Sequence, residues 1–284
     1  MSTLAFVLVI FSAALHAYWN LIAKKQARNP AVFFMGLGFA LVVLIIPAMF
    51  AFSTWGDLSR ALPYMVATGI LHAIYYSLLF KGYATNDLSS LYPLARGVGI
   101  VGVTLISITF FSADIPFIGL LALLTIVCGV AILGIGTGKS LRLLKNNTLA
   151  KLLPFLIGVS IVGYTLVDNE GVKQVSPIVY ATGLTFFTLV FLLPLRLWRD
   201  GRLLDAWRNY KKPSLIVGIG SIGTYLVILF VYQLTELSFV VALREISVAI
   251  GAVIGVLVLK ERWSLAKIAA ICCIVLGAIL LRLV

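Results

Sequence analysis

Charge is what this sequence has least of. Asp, Glu, Lys and Arg make up 11% of its 284 residues, against about 25% in a soluble domain. So little charge cannot cover a water-facing surface when 62% of the residues are hydrophobic and the mean hydropathy is +1.11. A soluble globular domain is excluded, and the composition is that of an all-α polytopic membrane protein. Cysteine is also scarce. Cys128, Cys272 and Cys273 all fall in apolar runs. Their odd number argues against a disulfide framework and no spacing among them suits a zinc site, which leaves packing as their expected role. Catalytic signatures are missing as well. There is no His-Glu-x-x-His motif, no Gly-x-Ser-x-Gly elbow and no pair of catalytic carboxylates. Gly136-Thr137-Gly138-Lys139-Ser140 resembles a phosphate loop, but the motif needs glycine where Leu133 stands, and no strand precedes it. The sequence gives no sign of an enzyme, a metal or a cofactor.

Basic residues, by contrast, outnumber acidic ones, 22 to 10, for a net charge of +12. In a soluble chain that excess would suggest nucleic acid. Here the basic residues cluster in short segments between apolar runs, the pattern left by membrane insertion, so no nucleic-acid partner is expected. The first apolar run begins almost at Met1, with no basic residue before it and no small-residue cleavage site. It reads as a retained helix rather than a signal peptide.

A span needs about 20 apolar residues, and the backbone in lipid must satisfy its own hydrogen bonds, so the runs are helices. Ten are expected, over Leu4–Ala23, Val32–Phe52, Leu62–Gly82, Leu88–Phe110, Ile115–Gly136, Leu152–Val172, Ile178–Trp198, Ser214–Thr235, Leu237–Leu259 and Leu265–Leu283.

The second half repeats the first. Pro30 and Pro47 are 17 residues apart, as are Pro177 and Pro194. Pro63 and Tyr75 are 12 apart, as are Pro213 and Tyr225. Asp87-Leu88-Ser89 returns as Glu236-Leu237-Ser238, and Ile126-Val127-Cys128-Gly129 as Ile274-Val275-Leu276-Gly277. Four matches in one order indicate an internal duplication. The expected organisation is one membrane domain, with repeat one over 1–138, a basic cytoplasmic linker over 139–151 and repeat two over 152–284. An odd number of spans per repeat inserts the second copy upside down, the plan of many secondary transporters. Seventeen basic residues fall in loops on one side and three, Arg60, Lys173 and Arg282, on the other. The positive-inside rule therefore places both termini outside an inner (plasma) membrane.

Two basic residues belong to neither side. Arg96 and Arg244 lie well inside the fourth and ninth spans, and Glu245 is beside Arg244. Arg96 and Glu245 are each about 8 residues into their span, so about 12 Å deep at 1.5 Å per residue. A charge there costs at least about 2.5–3.5 kcal/mol on insertion scales, which marks a functional site. The bland alternative is a structural ion pair that orders the bundle. The repeat alignment makes Arg96 and Glu245 equivalent, nine residues after Asp87 and Glu236, so a pseudo-twofold axis would bring them near each other. Arg244 would hold an anionic group or find its own partner, since its planar fork suits carboxylate or phosphate. Ser12, His16, Trp19 and Asn20 share a face of the first span by i, i+3 and i+4 spacing. Ser160, Tyr164 and Asp168 match them on the sixth. His72, Tyr75 and Tyr76 lie on the third span, Tyr92 on the fourth, and Tyr225 and Tyr232 on the eighth. Any one of these is ordinary interhelical glue, worth about 0.6 kcal/mol. As a set matched across repeats, they read as the wall of a polar cavity. Asp168 and Glu245 are the candidates for a coupling proton or an ion pair, whereas Glu170 with Lys173 reads as an interfacial pair. Gly251 and Gly255 read as a close-packing small-xxx-small pair.

Several of these stretches resemble the EamA branch of the drug/metabolite transporter superfamily. They are Leu15-His16-Ala17-Tyr18-Trp19-Asn20, Tyr92-Pro93-Leu94-Ala95-Arg96-Gly97, Leu243-Arg244-Glu245-Ile246-Ser247 and Gly255-Val256-Leu257-Val258-Leu259-Lys260-Glu261-Arg262. The resemblance covers both repeats. It implies a ten-helix inverted-repeat transporter of a small metabolite, amino acid or drug, with spans 1–4 and 6–9 around a central cavity and spans 5 and 10 outside as support. Two departures stand out. Better-known members look as if both termini are cytoplasmic, against the charge count here. The smallest relatives use a carboxylate in the first helix for proton coupling, where this chain has His16 and Asn20.

The expected function is secondary transport of a small polar solute, amino acid-like, zwitterionic or anionic, by alternating access. Its anionic group would sit on Arg96 or Arg244, with His16, Trp19, Asn20, His72, Tyr76, Tyr92, Tyr164 and Tyr225 as further contacts. Expected partners are the small-molecule substrate, membrane lipids and a coupling proton, in a monomer or weak dimer. The rivals are a non-transporting scaffold or receptor, and an intramembrane enzyme.

Overall fold

The prolines that pair across the repeats fall at helix starts and inside helices. In the computed structural model, which describes residues 1–25, 30–51, 57–85, 88–135, 148–197, 208–258 and 263–284, Pro30 and Pro177 open their helices. A missing N–H costs nothing at that position. The helices are α1 (Thr3–Lys25), α2 (Pro30–Phe50), α3 (Leu58–Thr85), α4 (Leu88–Phe110), α5 (Phe117–Ile135), α6 (Thr148–Gly171), α7 (Pro177–Leu197), α8 (Lys211–Val231), α9 (Leu237–Leu243), α10 (Ile246–Leu257) and α11 (Leu265–Arg282). Among the described residues there is no strand, and 10 spans are long and apolar enough to cross a membrane, with α9 and α10 together forming one of them. The chain is a multi-pass membrane protein. The Gly136–Ser140 segment and most of the basic linker lie outside the described residues.

Asp57 caps α3. Its Oδ1 accepts from the Ser59 hydroxyl at 2.5 Å and from the Arg60 N–H at 3.1 Å. The Ser59 bond first, then the Arg60 N–H, hold its carboxyl below the ordinary 3.8.

The chain divides into two compact units that cut across the sequence repeats. One comprises Met1–Ala17, Leu78–Val162 and Leu234–Val284, and the other Tyr18–Ser77 and Gly163–Gln233. The first unit therefore holds α4 and α5 from repeat one and their counterparts α9, α10 and α11 from repeat two. The second holds α2 from repeat one with α7 and α8 from repeat two.

Within the first unit, α5 and α11 meet through glycines that the repeat makes equivalent. A Cβ on Gly129 would lie 2.8 Å from the Ala270 carbonyl oxygen, and one on Gly277 would lie 2.8 Å from the Ala122 carbonyl oxygen. Each glycine follows by seven residues the alanine that faces its counterpart, so the contact is self-complementary, like a twofold interface. Without a hydrophobic force between helices in lipid, such close backbone approach supplies the attraction. Similarly, a Cβ on Gly158 of α6 would meet the Ala95 carbonyl oxygen of α4 at 2.8 Å. In the second unit α2 and α8 cross at Gly36 and Gly218, where a Cβ on Gly36 would come within 2.9 Å of the Gly218 backbone nitrogen.

Three sequence expectations need correction. The ninth span is interrupted at Arg244 and Glu245 rather than continuous. Gly251 is no packing glycine, because a Cβ there would meet nothing within 4 Å. Cys128 and Cys272 are exposed rather than packed inside the protein, which costs nothing on a lipid-facing side.

Alanine at Gly129 or at Gly277 is expected to lower stability by similar amounts, about 1–3 kcal/mol, whereas Gly251→Ala leaves it unchanged. Thermal unfolding of the three purified variants in detergent checks this. A Gly129→Ala protein as stable as Gly251→Ala would contradict the reciprocal seat.

Candidate functional site

In the first unit the ionisable residues converge on the interruption between α9 and α10. A regular helix would bond the Glu245 N–H to Val241 and the Ser247 N–H to Leu243. Instead Glu245 N–H donates to the Ala242 carbonyl and Ser247 N–H to the Arg244 carbonyl, both at 3.0 Å. This three-residue spacing is 3₁₀ geometry, which within a longer helix often marks a hinge. The turn carries the two charged residues of the span.

Arg96 comes to the same place from α4. It lies three residues after Pro93, which sits inside that helix. Its Nε donates to Glu245 Oε1 at 2.7 Å. Its Nη2 is 2.5 Å from the same oxygen, off the axis that a hydrogen bond prefers. Arg96 is 4% exposed and Glu245 0%, so the pair is shut away from solvent. Glu245 Oε2 is buried with no hydrogen-bond partner among the described residues. The geometry is thus lopsided, with the guanidinium on one carboxylate oxygen and the other oxygen left over. His16 on α1 is half-buried, and the guanidinium groups of Arg244 and Arg96 both act on it electrostatically. Arg244 itself is partly exposed. Ser12, one turn before His16, is buried.

The second unit gathers the aromatic and phenolic residues. Tyr180 donates to Asp168 Oδ1 at 2.9 Å, and Tyr225 donates to Oδ2. Asp168 and Tyr180 are both 0% exposed. Gly171 makes this possible, since a Cβ there would lie 2.6 Å from the Tyr180 ring carbon Cζ. The Tyr225 ring stands edge-on to His72 at 5.6 Å between centroids, and His72 stacks on Tyr164 at 4.2 Å. His72 is held to its own helix, with Nδ1 2.9 Å from Thr68 Oγ1 and 3.0 Å from the Thr68 carbonyl oxygen. Tyr75 packs against both Tyr164 and Tyr76, and Tyr76 against Phe33. The Trp19 indole N–H donates to Thr224 Oγ1 at 3.3 Å, over Gly220, which has no side chain to obstruct the ring. Asn20 follows, half-buried.

The sequence-predicted residues therefore fall into two groups. His16, Arg96, Arg244 and Glu245 belong to the first unit. Trp19, Asn20, His72, Tyr76, Tyr164, Asp168 and Tyr225 belong to the second. The side chain of Tyr92 lies outside the described residues. Ser160 spends its hydroxyl on the Ile157 carbonyl of its own helix. Glu170 and Lys173 pair at 2.5 Å on an exposed surface. Sequence reasoning missed Tyr180, Thr68 and Thr224. Tyr180 sits near the start of its span, where a tyrosine ordinarily reads as an interfacial anchor. The only clue to its role was Gly171, three residues after Asp168.

Among the described residues, ten apolar spans, with a buried ion pair joining two of them, define the class as a polytopic membrane protein. Residues 148–283 match the model of the EamA-like transporter family, and this match supports membership of that family within the drug/metabolite transporter superfamily. A solved crystal structure shares its fold, with a TM-score of 0.73 at 15% identity over 100% of this chain and 98% of that one. No curated protein matches by sequence.

Phenylalanine at Tyr180 or Tyr225 leaves one Asp168 oxygen without its phenol and is expected to cost about 1–3 kcal/mol. Gly171→Ala should resemble Tyr180→Phe, because it evicts the same ring. Unfolding midpoints in detergent decide this, and wild-type midpoints for both phenylalanine variants would contradict the carboxylate–phenol network.

Proposed function

We propose that this EamA-like protein is a secondary transporter that moves a small polar metabolite, amino acid-like, zwitterionic or anionic, across an inner membrane by alternating access. The observation that carries the reading is the group formed by Arg96, Glu245, Arg244 and His16 inside apolar spans. A bundle that needed only to hold itself together gains little from a buried ion pair, since well-packed apolar residues of the same volume serve as well or better. Charges retained at that cost fit a pathway for a charged solute. Arg96 is buried and Arg244 is partly exposed, so we assign the solute's anionic group to Arg244. Arg suits the task because its fork meets carboxylate or phosphate with two parallel N–H donors. The 3₁₀ turn beside it supplies a place where the span can bend as the site changes its facing. The charge asymmetry of the loops supports external termini.

Purified protein in liposomes is expected to accumulate at least one member of a panel of amino acids and organic anions. Arg244→Ala should reduce that flux at least about tenfold, a loss of about 1.4 kcal/mol, while the variant still inserts. Wild-type flux by Arg244→Ala would contradict the assignment. Epitope tags at both termini should be reachable on intact spheroplasts, and protection of both would reverse the topology.

A further inference from the structure

Glu245 presents an acceptor that none of the described residues uses. Both guanidinium nitrogens of Arg96 that approach it, Nε at 2.7 Å and Nη2 at 2.5 Å, go to Oε1. Oε2 is buried without a hydrogen-bond partner among the described residues, in a side chain that is 0% exposed. An unmade hydrogen bond on a buried polar group costs about 1–3 kcal/mol, more if the group is charged. A symmetric fork on both oxygens would avoid that cost and is the commoner arrangement for arginine and carboxylate. Here Arg96 holds the carboxylate by one side and turns the other away from itself. Glu245 itself belongs to the 3₁₀ turn and follows Arg244, where the backbone spacing changes.

We propose that Glu245 Oε2 receives the protonated amine of the transported solute, with Arg96 as the residue that positions the carboxylate and Arg244 as the contact for the solute's acid group. This rests on the transporter reading and narrows it, because the solute must carry a cationic nitrogen as well as an anionic group. An ammonium fits the vacancy because N⁺–H···O⁻ bonds are roughly twice as strong as neutral ones. A hydroxyl in the same place could donate to the oxygen but would bring no positive charge to set against the carboxylate. A site with a buried acceptor rejects analogues that cannot satisfy it. Because Glu245 is fully enclosed, the amine reaches Oε2 only when the helices part, so its binding is coupled to the change of facing.

The test compares solutes that differ only in that nitrogen. Alanine, serine, aspartate and phenylalanine are paired with lactate, glycerate, malate and phenyllactate, and phosphoethanolamine with glycol phosphate. Flux into liposomes is measured for wild type, Glu245→Gln and the double variant Arg96→Gln/Glu245→Gln. The double variant removes both buried charges and guards against a single variant that fails to fold. Wild type is expected to prefer at least one amine over its hydroxy partner by about tenfold or more. Both variants should lose that preference, whatever flux they retain. Equal flux of amine and hydroxy partners through wild type would overturn this inference and leave the transporter reading intact. So would an amine preference that survives in the double variant. Loss of proton movement in Glu245→Gln with the amine preference unchanged would make Oε2 a proton site and likewise overturn it. Absence of flux for every solute would bring down the transporter reading itself.

Discussion

The bond between Arg96 and Glu245 constrains everything around it. Neither residue can stay alone inside an apolar span, because removing one partner of a buried pair costs about 3–5 kcal/mol. α4 must therefore meet the junction of α9 and α10 at one register. The repeat makes these two positions equivalent, so the pair spans a pseudo-twofold relation within the first unit. Identical residues at both positions would have set like charges against each other. Opposite charges at the two equivalent positions make the contact an ion pair, and the Gly129 and Gly277 seats show the same twofold relation in the packing of α5 on α11.

The second unit solves the same problem by different means. Asp168 is as deeply buried as Glu245, but two phenols donate to it, one on each oxygen. Both oxygens are occupied, and through Tyr225 the carboxylate is tied to the His72 and Tyr164 rings. A carboxylate satisfied on both sides by its own fold is suited to holding structure. One satisfied on one side only is suited to receiving something. The two carboxylates, which the sequence treats alike, thus differ in how the described residues satisfy them.

Most of the architecture could be read from the chain. Membrane insertion enforces long apolar runs, and the duplication repeats its prolines and glycines at fixed spacing. Helix limits follow the runs to within a few residues. The 3₁₀ turn at Arg244 and Glu245 could not be read, because a charged pair within an apolar span does not by itself change the backbone spacing and no proline or glycine stands at the turn. The role of Tyr180 was hidden because its partner is twelve residues away across a loop. Gly251 misled because spacing alone does not say which side of a helix faces a neighbour, and the same blindness to facing put Cys128 and Cys272 inside. The division into compact units was also not legible, since it joins α5 with α11 and α2 with α8 across the repeat boundary.

The most direct measurement is the unfolding midpoint of the charge-exchanged protein, Arg96→Glu with Glu245→Arg, beside its two single reversals. Each reversal alone buries two like charges and should yield little folded protein. The exchange re-forms an opposite pair and should recover a folded, monodisperse protein with most of the wild-type stability. Single reversals as stable as wild type, or an exchange no better than either of them, would contradict the view that this pair fixes how the repeats meet.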